Sequence, residues 1–190
     1  EDEALANALY DASDEQRGTG LVILAQYIAQ EMEKPLQIFA DNAGGVGVIN
    51  LSEDRDNIVR SVPTVFLTMA AGAAKPQYQL CLSLEAAAQF QGGYNLIDFP
   101  NAETTVLSRK QDNVTQEVVR VQGPARKLYI NYIGGRYAYP MIPFADILQG
   151  NYRPEDIAGK VIFIGDTSLT SHDYYLTPFQ APARKYVQAL

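Results

Sequence analysis

The 190-residue chain has no tryptophan, one cysteine, one histidine and three methionines. A single thiol, Cys81, excludes an intrachain disulfide framework and any zinc site built from several cysteines, so stability must come from packing. Without tryptophan, large aromatic surface falls mainly to twelve tyrosines. Such residues can line a ligand cleft or an interface, and they also serve in cores with the hydroxyl kept wet. Positive charge is scarce as well: 15 Lys and Arg stand against 22 Asp and Glu, for a net charge of -7. That balance repels a phosphate backbone and argues against nucleic-acid binding. The imbalance is local, since residues 1–60 carry 12 acids and four bases, whereas residues 61–190 are nearly neutral.

Long apolar runs are also missing. The longest, residues 62–74, spans 13 positions and includes Pro63, Thr64, Thr68 and Gly72, short of the roughly 20 apolar residues that cross a bilayer. Residues 1–10, EDEALANALY, are acidic where a leader would be basic, so targeting information is expected outside this stretch. What remains is a chain with 47% hydrophobic residues, sufficient for one domain with its own core.

The pattern predicts an α/β layered domain with a mixed, partly parallel central sheet flanked by helices. Ala4, Leu5, Ala8, Leu9 and Ala12 fall at helical spacing and predict a helix over residues 1–12. The continuous apolar run at 21–25 predicts a strand buried on both faces. Residues 46–51 and 58–62 flank an Asp- and Asn-rich stretch and read as a hairpin, with Pro63 marking an edge or a bulge. A helix is expected over 78–90, ended by Gly92 and Gly93. Strands are expected at 118–121 and 128–133, a short helix at 143–148, a fully buried strand at 161–164 and a helix at 183–190. A leading helix followed at once by a buried strand predicts an earlier strand ahead of residue 1, and some loops are expected to be missing.

Chemistry is expected first where the 161–164 strand opens into Gly165, Asp166, Thr167, Ser168, His172 and Asp173, because ligands in open α/β sheets sit beyond the carboxyl ends of strands. The same residues also suit a turn whose polar groups satisfy local backbone. A strand followed by Gly165 and Asp166 resembles the nucleophile turn of GDS esterases and lipases. Thr167 stands at the nucleophile position, and the single histidine lacks the aspartate at the spacing that supplies the base. The turn at Asp54, Arg55, Asp56 and Asn57 has alternating carboxylates but lacks the glycine and distal glutamate of a calcium loop. No metal or cofactor is therefore expected, and Arg60 is expected to pair one of these acids.

Three segments in order resemble the CHASE2 domain family. The first is Gly47, Val48, Ile49, Asn50 and Leu51, followed by Asp54, Asp56, Arg60 and Pro63. Next come Ile130, Asn131, Tyr132, Ile133 and Gly134, followed by Phe144, Asp146, Ile147 and Leu148. The third runs from Ile157 through Gly159, Lys160 and the VIFI run to Gly165, then Thr167, Asp173, Thr177 and Pro178. Ala4 to Leu9 fits the family's opening helix. Asn57 replaces the family's turn glycine, a change that the left-handed tolerance of asparagine permits. Pro143 stands where serine is common. Residues 180–185 do not supply the "P-G-V-x-x-H-A" segment expected after Phe179.

The resemblance implies a single sensory domain over residues 1–190, extracytoplasmic in a bacterial receptor and tethered to the cell membrane by flanking helices. It implies no catalysis by the domain and an intracellular output, foremost an adenylate or guanylate cyclase, otherwise a kinase. The partners implied are a small-molecule or protein signal and a second copy in the assembled receptor, not nucleic acid. The polar members of the matched segments, Asn50, Arg60, Asn131, Gly165, Thr167, Asp173 and Thr177, are the expected ligand contacts. A role in holding loops together, and a ligand-free dimerisation scaffold, are the alternatives at this stage.

Overall fold

The computed structural model describes residues 2–13, 22–29, 32–33, 35–68, 76–134, 138–166 and 175–179. Backbone contacts divide the chain into two compact units, residues 1–52 with 61–129, and residues 53–60 with 130–190. The described residues form an α/β arrangement of small sheets and four helices, without a closed barrel. No helix among them is long and apolar enough to cross a membrane.

The first unit opens with helix α1 (Asp2–Ser13), whose first turn carries Asp2 and Glu3 at the positive end of the macrodipole. Its next strand, β1 (Ile23–Ile28), pairs antiparallel with the short β2 (Met32–Glu33). After α2 (Gln37–Ala40), β3 (Gly45–Val48) pairs with β1 in parallel. This supplies the parallel pairing expected of the sheet. Val48 continues through a parallel bridge to Cys81. β4 (Ser61–Pro63) pairs with β10 (Lys127–Tyr129), and β5 (Val65–Thr68) with β6 (Gln77–Leu80), both antiparallel.

The predicted hairpin between 46–51 and 58–62 is corrected by this pairing. A chain reversal exists, with Asn57 at φ 62° donating its backbone N–H to the Asp54 carbonyl at 2.9 Å. The ladders nevertheless go elsewhere, to β1 for one arm and β10 for the other, leaving only a Ser52–Ser61 bridge. Asp and Asn report the turn but not which strand takes each edge.

Helix α3 (Leu82–Phe90) packs on β3 and ends at Gly92 and Gly93, whose φ values of 93° and 82° suit glycine. Residues 78–80, expected in this helix, belong to β6 instead. The unit's core joins Val62, Leu80, Cys81, Leu84, Ala88 and Leu107, with Val119 and Val121 packed against it. Gly47 lies flush on α3: a Cβ there would overlap the Cα of Leu82.

The 94–122 region builds a three-stranded meander of β7 (Leu96–Asp98), β8 (Thr104–Gln111) and β9 (Val114–Gln122). Asp112 and Asn113, at φ 49° and 64°, form its two-residue turn, and positive φ at both central positions matches the twist of the arms. A register shift at Leu107/Ser108 sets Val119 opposite Leu107 and Glu117 opposite Ser108. The extra residue puts Glu117 and Arg120 on the same face, where they form an ion pair although three apart on a strand.

In the second unit, helix α4 (Phe144–Gln149) ends at Gly150 with φ 73°. The Asn151 N–H reaches back to the Asp146 carbonyl at 2.8 Å, satisfying a terminal acceptor. Residues 161–164 differ from expectation. They form neither helix nor ladder among the described residues, and Ile164 is 83% exposed. A continuous apolar run identifies a segment suited to burial, but burial also needs a neighbour, which the run does not specify. The strand expected over 128–133 is likewise shorter, ending at Tyr129. The helix expected at 183–190 lies outside the described residues.

Candidate functional site

Within the second unit, residues 58–60 form an extended segment with neighbours on both edges. On one edge the Val59 N–H donates to the Leu176 carbonyl at 2.9 Å, beside a parallel bridge between Ile58 and Leu176. On the other, the Ile130 N–H donates to the Arg60 carbonyl at 2.9 Å. Val59 is fully buried. Its carbonyl accepts the Tyr132 hydroxyl at 2.9 Å, and the Tyr132 ring meets Phe179 edge-on at 6.4 Å between centroids. These contacts gather Arg60 beside Ile130, the neighbour of Asn131, and Val59 beside Leu176, the neighbour of Thr177.

Arg60 is committed to the turn that precedes it. Nη1 donates to Asp54 Oδ2 at 2.8 Å and to Asp56 Oδ1 at 2.9 Å, and Nη2 donates to Asp56 Oδ2 at 2.7 Å. The alternating carboxylates therefore bracket a guanidinium, which is the expected ion pair. The hydrogen bonds from Arg60 hold the Asp56 carboxyl down at about 2, below its ordinary 3.8, and the two carboxylates raise the guanidinium in turn. The shift sets a pH dependence: the pairing contributes fully above pH 3.8 and is lost as pH falls through about 2, where the folded carboxyl takes up its proton. In Arg60→Gln, Asp56 is expected to titrate near 3.8 when followed by carboxyl NMR. A titration unchanged from the parent would show that Arg60 does not set it.

Asn50 belongs to the first unit and is fully engaged there. Its Nδ2 donates to the Ile28 carbonyl and its Oδ1 accepts the Ile28 N–H, both at 2.7 Å, so it clamps the end of β1 as a strand neighbour would. Asn131 is exposed, with no side-chain hydrogen bond among the described residues. Gly165 is exposed, and a Cβ built on it meets nothing within 4 Å among the described residues. Thr177 is buried. Thr167 and Asp173 lie outside the described residues, as does His172. Of the seven, backbone pairing thus brings Arg60, Asn131 and Thr177 onto neighbouring segments. Among the described residues no group of three or more His, Cys, Asp and Glu is placed to hold a metal.

Two buried polar arrangements went unread in the sequence. On α3, Glu85 is only 4% exposed and accepts the Tyr94 hydroxyl at 2.7 Å and Gln89 Nε2 at 2.9 Å. Burial and the adjacent carboxylate push the Tyr94 phenol up. The available signal was an acid set among Leu84, Ala86 and Ala88, all of which are buried. The second is Gln26 on β1, 5% exposed, whose Nε2 donates to Gln79 Oε1 at 2.6 Å. A glutamine in a strand gives no comparable warning.

The CHASE2 domain family model matches residues 1–189. No curated protein and no solved structure matches the chain. The match spans the helix at the start, the paired turn at Arg60 and the segments on either side of it, all in the order already described. On that coverage the chain belongs to the CHASE2 domain family, whose members are extracytoplasmic, non-catalytic sensory domains of signalling receptors.

Proposed function

We propose that this domain is the ligand-responsive part of a membrane-tethered receptor whose intracellular output is a nucleotide cyclase, foremost an adenylate or guanylate cyclase. The observation that carries the reading is the family match over residues 1–189, supported by the order of three motifs along the chain. The domain binds a small-molecule or protein signal more tightly in one of two conformations, and the difference in affinity biases the membrane helices. A second copy pairs with the first in the assembled receptor, because nucleotide cyclase output depends on the relative placement of two chains.

The signal contacts are Asn131, Gly165, Thr167, Asp173 and Thr177, with Arg60 holding its own turn beside them, whereas Asn50 holds the end of β1 in the first unit. The hydrogen bonds of Asn50 and the ion pairs of Arg60 support this division, since both side chains are already occupied. Thr167→Val and Asp173→Asn in the full-length receptor are expected to change its response while the purified domain keeps its melting midpoint. Unfolding of both variants, or a parental response from both, would overturn the assignment.

A further inference from the structure

The turn between β9 and β10 is costly in its own conformation. Ala125, at φ 51° and ψ 34°, and Arg126, at φ 55°, both adopt left-handed backbone although neither is glycine, and in that conformation Cβ crowds the following carbonyl oxygen. A further cost is Arg126 Nε, a buried donor with no acceptor among the described residues. The guanidinium lies over the Phe99 ring at 4.5 Å, and its Nη2 gives only a long hydrogen bond, 3.3 Å, to the Asn101 carbonyl. What holds the turn is Thr64, which is fully buried. Its N–H and its Oγ1 both donate to the Arg126 carbonyl at 2.9 Å. The Oγ1 then accepts the Thr105 hydroxyl at 2.9 Å, and the Thr64 carbonyl accepts the Cys81 N–H at 3.1 Å. A core residue thus grips one carbonyl of a turn whose own conformation resists closure. Strained backbone persists only where its surroundings impose it, and it concentrates in segments that switch.

We infer that residues 123–126 form a strained catch, closed on Thr64 in this structure, that opens locally by letting go of the Arg126 carbonyl. One motion relieves every cost: Ala125 and Arg126 return to negative φ, and Nε reaches water. Opposing it are the hydrogen bonds from Thr64 and the stacking on Phe99. The consequence falls on β10, which begins directly after the catch and pairs with β4 through Lys127 opposite Pro63 and Tyr129 opposite Ser61. Opening releases the start of that ladder. Along the chain β10 leads to Ile130, whose N–H donates to the Arg60 carbonyl, so the catch governs how firmly the strand leading to Asn131 is held. None of the polar contacts considered above lies in the turn, and the inference does not depend on the receptor reading.

Amide hydrogen exchange on the 15N-labelled 190-residue chain tests the catch. The Thr64 amide is expected to be protected at least about tenfold less than that of Leu107, a fully buried residue of the central strand β8, and to respond little to low urea, because a local opening exposes little surface. Ala125→Gly removes the crowded Cβ and is expected to raise Thr64 protection about tenfold. Ala102→Gly, at an exposed position without positive φ, is the control and is expected not to raise it. Equal protection and equal urea response at Thr64 and Leu107 would show that the turn opens only with the whole unit, and would overturn the catch. Thr64 protection left unchanged or lowered by Ala125→Gly, or raised as much by Ala102→Gly, would overturn strain as its cause.

Discussion

Gly47→Val is expected to lower the melting midpoint by about 6–12 °C, which corresponds to about 3 kcal/mol for a chain of this size. Gly47 sits in β3, in register with Ala25 of β1 and against the first turn of α3. The atom that an added Cβ would meet is the Leu82 Cα, which is backbone. A flexible side-chain end can swing away, whereas a backbone atom moves only with its helix, and α3 carries Leu84 and Ala88 into the core. The substitution must therefore separate β3 from α3 or displace the core. Gly165→Ala is the matched control, because among the described residues nothing lies within 4 Å of the added Cβ, and its effect is expected to stay within about 0.5 kcal/mol. Differential scanning fluorimetry on the two variants checks the pair. Parental melting of Gly47→Val would contradict the close approach of sheet and helix.

Glu85→Ala is expected to cost about 2–4 kcal/mol, read as a lower midpoint in urea at unchanged slope. The carboxylate is the hydrogen-bond acceptor for both Tyr94 and Gln89, so its removal strands the Tyr94 hydroxyl and opens space beneath Gly45, whose built Cβ approaches Glu85 Oε1 to 2.5 Å. Glu85→Gln, which keeps the shape and one acceptor, is expected to cost less than half as much. Tyr94 adds an alkaline counterpart. Its phenol is raised in the folded chain, so the unfolded chain releases that proton first and stability falls as pH climbs past the ordinary value of 10. Tyr94→Phe removes that part of the fall. A Glu85→Ala variant with a parental midpoint would show that the buried carboxylate is not integral to the core.

Much of this arrangement is legible in the residues, and the parts that are not have a common cause. Helix α1 is visible because apolar residues recur at helical spacing behind two acids, and α3 because two glycines stop it. Both are local signals. The reversal at Asp54 to Asn57 is local too, and the pairing of Arg60 with those acids follows from their reach. Strand partners are not local. The arms beside that turn carry no mark that sends one to β1 and the other to β10, and residues 161–164 show an apolar run without showing what would cover it. The long β8–β9 hairpin had a readable turn at Asp112 and Asn113, but polar residues on both arms, the buried Thr104, Thr105 and Ser108 among them, weakened the alternation that marks strands.

The candidate contacts were legible in a different way. Asn50 and Arg60 stood out as polar residues within matched motifs, which says that a side chain has a task and not which one. In the structure each task is a set of hydrogen bonds: Asn50 takes the place of a strand neighbour for Ile28, and Arg60 ties down its own turn. Motif position alone cannot separate a ligand contact from a clamp, because both require a fixed polar group. Gln26 shows the converse. It belongs to no matched motif, yet it is buried and joined by its side-chain amide to Gln79, a property that depends on how β1, β3 and β6 come together.

Sequencing the complete coding region around this domain tests the receptor reading most directly. The account predicts an apolar segment of about 20 residues upstream, further membrane spans downstream and a nucleotide cyclase beyond them. A complete reading frame with no membrane segment would contradict it.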